Sequence, residues 1–121
     1  EDNTPYIVIY PHERRLIKTG IKIEATHHTE IQVRPRSGCS LKIGLSLANA
    51  IGTIDEGYRG EVGIIALNTS NEVISIKNGE RIAQAIVCPV LNSYYVNLKK
   101  VDEIDTQTER GEGGYGHTGI K

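Results

Sequence analysis

Asp55 and Tyr58 stand three residues apart in the stretch Asn49-Ala50-Ile51-Gly52-Thr53-Ile54-Asp55-Glu56-Gly57-Tyr58-Arg59-Gly60-Glu61. An acid and a ring carried on one rim suit the wall of a pocket; the alternative is a solvated turn with a Tyr packed at its edge. Arg34-Pro35-Arg36-Ser37-Gly38 follows a β-prone run and opens what could be a helical turn. Free amides at a helix start attract an anion such as phosphate, and Arg36 with the Ser37 hydroxyl would add donors. Otherwise Ser37 simply caps the helix. In Gly79-Glu80-Arg81-Ile82-Ala83-Gln84, Arg81 reads as an ordinary rim ion pair. Gln84 lies between Ala83 and Ala85 in a strand that reads as buried, so its amide either satisfies backbone groups or faces a ligand. Arg110-Gly111-Glu112-Gly113-Gly114-Tyr115-Gly116-His117-Thr118-Gly119 is the last such segment. Its glycines permit close backbone approach, its amides can nest phosphate oxygens, and the Tyr115 ring can stack on a base. It lacks the Gly-Lys-Ser/Thr of a P-loop, and its other reading is a disordered low-complexity tail.

Short β-branched runs separated by turn residues must position these groups. Strands are expected over 6–10, 15–25 with a break at Gly20, 30–34 up to Pro35, 45–47, 61–68, 73–76, 82–87 and 94–98, with one helical turn over 37–42. Glu56-Gly57 between two apolar runs predicts a tight β-hairpin, with Gly supplying the positive φ of a primed turn. Asn78-Gly79 predicts a second turn. Many short strands and no sustained helical period indicate an all-β sandwich, jelly roll or barrel. From residue 102 the chain turns polar and then carries five glycines between 111 and 119, too little apolar area to hold itself in place.

Composition narrows the function classes. The 121 residues suit one domain that buries roughly 65% of its extended-chain surface. With 14 basic and 15 acidic residues there is no electrostatic footprint for nucleic acid or a membrane surface. No apolar run approaches membrane-spanning length, and no signal peptide is visible. Cys39 and Cys88 lack metal-ligand spacing and fit a reduced, cytosol-like setting as small buried hydrophobes. Trp, Phe and Met are absent, so Ile, Val, Leu and Ala must build the core. His12, His27 and His28 show no catalytic or metal spacing and read as surface or turn residues. The acids are too scattered for a protein-built metal cage, whereas Mg²⁺ held mainly by substrate phosphates needs few of them.

Taken in order, these segments resemble the trimeric dUTPase family, the dUTP nucleotidohydrolases. Residues 34–38 resemble its second motif, 49–61 its third, 79–84 its fourth and 110–119 its fifth, the Gly-rich C-terminal arm. Any one motif is a weak signal; four in order at family spacing are a strong one. The resemblance implies a jelly-roll-like β core over 1–101 and an arm over 102–121 that closes over an active site. It also implies a homotrimer with shared sites and Mg²⁺-dependent hydrolysis of dUTP to dUMP and pyrophosphate. That reaction keeps uracil out of DNA and supplies dUMP for thymidylate synthesis.

Carried over residue by residue, Asp55 would orient and deprotonate the water that attacks the α-phosphorus. Tyr58 would pack beneath the deoxyribose and leave no room for a 2′-hydroxyl. Asn49, with backbone groups of the same segment, would read the uracil edge. Arg36, Ser37 and Gln84 would hold the phosphates and metal-bound waters, Gln84 one water removed from Mg²⁺, with no direct protein ligand. Arg110, His117 and Thr118 would close on the terminal phosphates while Tyr115 covers the uracil. Gly38, Gly52, Ile54 and Gly116 complete the substrate-contacting set. Tyr115 stands where Phe is usual, which keeps the stacking face, and His117 where Ser is often found. The family's first motif, Ala-Gly-x-Asp-Leu, is expected ahead of Glu1 together with a first strand; a chain starting at Glu1 rather than Met is expected to be processed or trimmed. A cytoplasmic place follows, or a nuclear or viral one depending on source. The rivals are a dCTP deaminase of the same superfamily, against which the 49–61 segment and the arm argue, and a non-catalytic nucleotide-binding or regulatory module.

Overall fold

A computed structural model describes residues 3–91 and 95–120. Its elements in order are β1 (Tyr6–Ile9), β2 (Arg14–Lys22), β3 (Thr29–Pro35), α1 (Ser37–Ile43), β4 (Leu45–Leu47), β5 (Gly52–Ile54), β6 (Glu61–Asn68), β7 (Ile74–Lys77) and β8 (Ala83–Pro89). The strands form three antiparallel sheets, β1-β7, β2-β6-β4 and β5-β3-β8. The all-β expectation is met.

Alternation decides which side chains turn inward. Along β6, Val62, Ile64, Ala66 and Asn68 are buried while their neighbours are not, the period of two that a pleated strand imposes. Ile31 and Val33 of β3, Leu45 and Leu47 of β4, and Ile74 and Ile76 of β7 do the same. With Ile9, Ile17 and Ile54 they form one core of Ile, Val, Leu and Ala fed by all three sheets. Asn68 is the buried polar member, and its amide is fully used. Nδ2 donates to the carbonyls of Ile9 and Glu72, while Oδ1 accepts from the backbone N–H and hydroxyl of Ser70. A buried amide satisfied in this way costs little and ties β1 to the end of β6.

Turns fall where glycine permits them. Gly20, at φ 74°, sits where the β2-β6 register shifts between Lys18 and Lys22, the interruption expected of that strand. Gly44, at φ 72°, ends α1 in the left-handed conformation. A side chain there would come within 3.0 Å of Ser70 Cβ.

Four expectations are corrected. β5 and β6 do not form a hairpin, because β5 pairs with β3 while β6 pairs with β2 and β4. Only the turn survives, closed by Tyr58 N–H on Asp55 O at 3.1 Å, and Gly57 is not among the positive-φ residues, so the turn is not a primed one. Ser37 is not the helix cap: Arg36 holds that position and makes no side-chain capping bond. β8 is exposed along most of its length, Gln84 included, because it forms the open edge of its sheet. Over 95–98 there is no strand, and Tyr94 lies outside the described residues.

Candidate active site

β3 is the spine of the site. Its last residues pair with the start of β8, Arg34 opposite Gln84 and Pro35 opposite Ala83. Beyond Pro35, Arg36 turns its guanidinium across the gap, and Nη1 donates to Arg81 O at 2.9 Å. In return Gln84 Nε2 donates to Pro35 O at 2.8 Å. Cys39 Sγ lies 3.7 Å from the same Arg81 carbonyl. Residues 34–38 and 79–84 are thereby locked together although some 45 residues separate them in sequence. Ser37 and Gly38 open α1 beside them, with nothing within 4 Å of a side chain built at Gly38. Gln84 Nε2 donates to Pro35 O, and its Oε1, the acceptor of the amide, can take a hydrogen bond from the water of a hydrated cation. Hard oxygens of this kind fit the outer sphere of Mg²⁺.

The 49–61 segment flanks the other edge of β3. Gly52 stands opposite Val33 and Ile54 opposite Ile31. Asn49 folds its amide toward Gly52, where an added Cβ would come 3.3 Å from Nδ2. Ala50 between them has φ 60°, a left-handed conformation that Ala seldom adopts and that tends to mark functional loops. After buried Ile54 the chain leaves the sheet, and exposed Asp55 begins the turn. Tyr58 donates its hydroxyl to Glu61 O at 3.0 Å. Its ring lies over Gly60, where a Cβ would come within 2.6 Å of Cζ. Only glycine at 60 lets the ring occupy that place.

The two halves point to opposite ends of one sheet. By the β3-β5 register Asp55 falls level with Glu30, five residues before Pro35. At about 3.3 Å per residue that is roughly 16 Å of strand between the two groups. Asn49 lies toward the Arg36 end and Asp55 at the other.

Residues of the 110–119 segment are exposed or nearly so and make local turns. Arg110 Nε donates to Gly113 O at 2.6 Å, His117 N–H to Gly114 O at 2.9 Å, and Gly119 N–H to Gly116 O at 2.8 Å. The ring of Tyr115 is fully exposed, with its backbone at φ 27°, and Gly116 lies at φ 87°. Thr118 is exposed as well. No part of 102–120 is helix or strand.

Sequence reasoning missed one cluster. His27 and His28 were expected to be plain turn residues, and His27 does sit in the turn closed by Thr29 N–H on Thr26 O. Yet His27 Nδ1 meets Glu56 Oε1, and His28 N–H donates to Glu56 Oε2 at 2.9 Å. These bonds, the backbone one foremost, hold the Glu56 carboxyl below its usual range. The only hint in the sequence was the adjacency of two histidines, since their partner lies 28 residues on. A cleft of about 550 Å³ opens between the sheets, lined mainly by apolar groups such as Ile17, Val33, Ile54 and Ile64. Asp55, Tyr58 and Arg36 are absent from its lining, and its apolar walls do not suit a triphosphate.

The chain is similar to known proteins of one family. The dUTPase family model matches residues 3–119. A deoxyuridine 5′-triphosphate nucleotidohydrolase of Clostridium novyi (strain NT) is 48% identical over 114 residues, 94% of this chain and 78% of that protein. Its counterpart in Clostridium kluyveri is 50% identical over 113 residues, 93% and 76% of the two chains. Among solved structures, a mutant dUTPase of Staphylococcus bacteriophage 80alpha with dUpNHpp superposes at a TM-score of 0.82 and 30% identity, over 95% of this chain and 81% of that one. A mutant dUTPase of phage phi11 of S. aureus, described as coordinating a structural Mg(II) ion, superposes at 0.72 with 25% identity over 81% and 78%.

Proposed function

This chain belongs to the dUTPase family, and from that premise we propose how its residues carry out the hydrolysis of dUTP to dUMP and pyrophosphate. The enzyme is a dUTP diphosphatase. The observation that carries this reading is the family match over 3–119, which includes all four motif segments. We divide the chain into a catalytic core over 1–101 and an arm over 102–121. The arm's local turns and exposed rings support a segment that orders over substrate.

Asp55, exposed and unencumbered at the start of its turn, orients and deprotonates the water that attacks the α-phosphorus. Tyr58, set over Gly60, stacks beneath the deoxyribose and leaves no room for a 2′-hydroxyl. Asn49 and the backbone of Gly52 and Ile54 read the uracil edge. Arg36, Ser37 and Gly38 at the β3 end hold the phosphates, which lowers the cost of the charge that develops on the leaving pyrophosphate. Gln84 would hold the hydrated metal by accepting from one of its waters. From the arm, Arg110, His117, Thr118 and Gly116 close on the terminal phosphates and Tyr115 covers the base, excluding bulk water. Mg²⁺, when bound with the substrate triphosphate, would neutralise part of its charge.

The separation of Asp55 from Arg36 along β3 supports a homotrimer in which neighbouring copies complete each site. Among the described residues no helix is long and apolar enough to cross a membrane. Free Cys39 and Cys88 support a cytoplasmic setting. The test is pyrophosphate release from dUTP with Mg²⁺. Asp55→Asn is expected to bind dUTP while losing at least about 100-fold in turnover, the scale of a lost general base. Ammonia release from dCTP would instead make the protein a deaminase, and binding without turnover in the unmutated enzyme would make it a regulatory module.

A further inference from the structure

His27, His28 and Glu56 set three candidate ligand atoms within 4.8 Å of one another, outside the residues assigned to dUTP. The imidazoles lie with centroids 3.9 Å apart, and Tyr95 meets the His28 ring edge-on at 4.9 Å. We propose that His27, His28 and Glu56 form a site for a transition-metal dication such as Zn²⁺, Co²⁺ or Ni²⁺, separate from the Mg²⁺ that accompanies substrate. Two imidazoles and one carboxylate suit such ions, whereas Mg²⁺ favours oxygen alone. Bonds of about 2.0–2.2 Å place tetrahedral donors roughly 3.4 Å apart, so side-chain rotation must open the His27–Glu56 contact to admit the ion while it draws the wider pairs together. His27 can supply that movement, with 76% of its side chain exposed. Glu56 is already held in place by the His28 N–H. Solvent completes the coordination.

The location gives the site a consequence. Glu56 follows Asp55 in the same turn, and His27 and His28 belong to the loop between β2 and β3. An ion held by all three clamps the turn to that loop and so fixes where Asp55 presents its carboxylate. This effect on turnover rests on the role given to Asp55; the binding itself does not.

Metal-stripped full-length chain titrated calorimetrically with ZnCl₂ is expected to take up one ion per chain, unmoved by excess Mg²⁺. Co²⁺ should give visible bands without the near-ultraviolet charge transfer of a thiolate ligand. His27→Gln, His28→Asn and Glu56→Gln should each weaken binding at least about tenfold. Asn tolerates the left-handed backbone of His28, at φ 62°, so that variant keeps the fold; exposed His27 offers a second one. Pyrophosphate release by wild type with and without Zn²⁺ separates the clamp from the site. Absence of uptake, uptake unchanged in all three variants, or uptake lost instead on Cys39→Ser or Cys88→Ser would overturn the proposal.

Discussion

At the scale of residues, Asp55 and Tyr58 share one turn, and Gly60 beyond it leaves open the space that the Tyr58 ring occupies. That contact makes a prediction. Gly60→Ala puts a methyl where the ring lies, so the ring must leave the place proposed for it beneath the sugar. The ratio of kcat/KM for dUTP over UTP should fall by about tenfold or more, the usual scale for one lost packing contact. Circular dichroism should show the fold intact, and an unchanged ratio would remove Tyr58 as the sugar gate. A second prediction concerns Glu56. Its carboxyl pKa is lowered by the His28 N–H and by His27, so the stabilisation it brings is present above its ordinary pKa and is lost as pH falls through the lowered one. In EDTA, the melting temperature of wild type should exceed that of Glu56→Gln near neutrality and converge with it in acid.

At the scale of elements, strand identity was readable and strand pairing was not. β4 and β6 begin and end where their apolar alternation begins and ends. The apparent hairpin failed for a physical reason. Two apolar runs flanking Glu56-Gly57 satisfy the local rule, but Ile54 is buried by pairing with Ile31 of β3, and Val62 by lying in the sheet with β2 and β4. Register across sheets is a tertiary choice that no single window contains. The arm is the opposite case. Its composition announced a segment unable to pack, and over 102–120 it forms turns alone. Deleting residues 110–121 should therefore leave the melting temperature and the oligomer unchanged while cutting dUTP turnover strongly. Dissociation on truncation, read by light scattering, would make the arm a structural strap instead.

At the scale of the whole molecule, the single chain leaves apolar strand surface uncovered. β8 presents Ile86 and Val87 to solvent, the latter 65% exposed, although β-branched strands of this kind are normally covered. This is why Gln84 read as buried from its neighbours and stands exposed here. The proposed site is spread in the same way, with Arg36 and Asp55 held at opposite ends of one sheet. If neighbouring copies supply them, two inactive variants should rescue each other. Arg36→Ala chains retain Asp55, and Asp55→Asn chains retain Arg36. Denatured together in equal amounts and refolded, they would assemble at random within the proposed closed trimer. A site drawing Asp55 from one copy and Arg36 from the next is then intact in about one quarter of cases, the product of two even choices under cyclic symmetry. Turnover should recover to about one quarter of wild type, against near zero for either variant refolded alone. A mixture as inactive as its components would place both residues of a site on one chain, and the backbone would have to bend far from the arrangement seen here to bring them together.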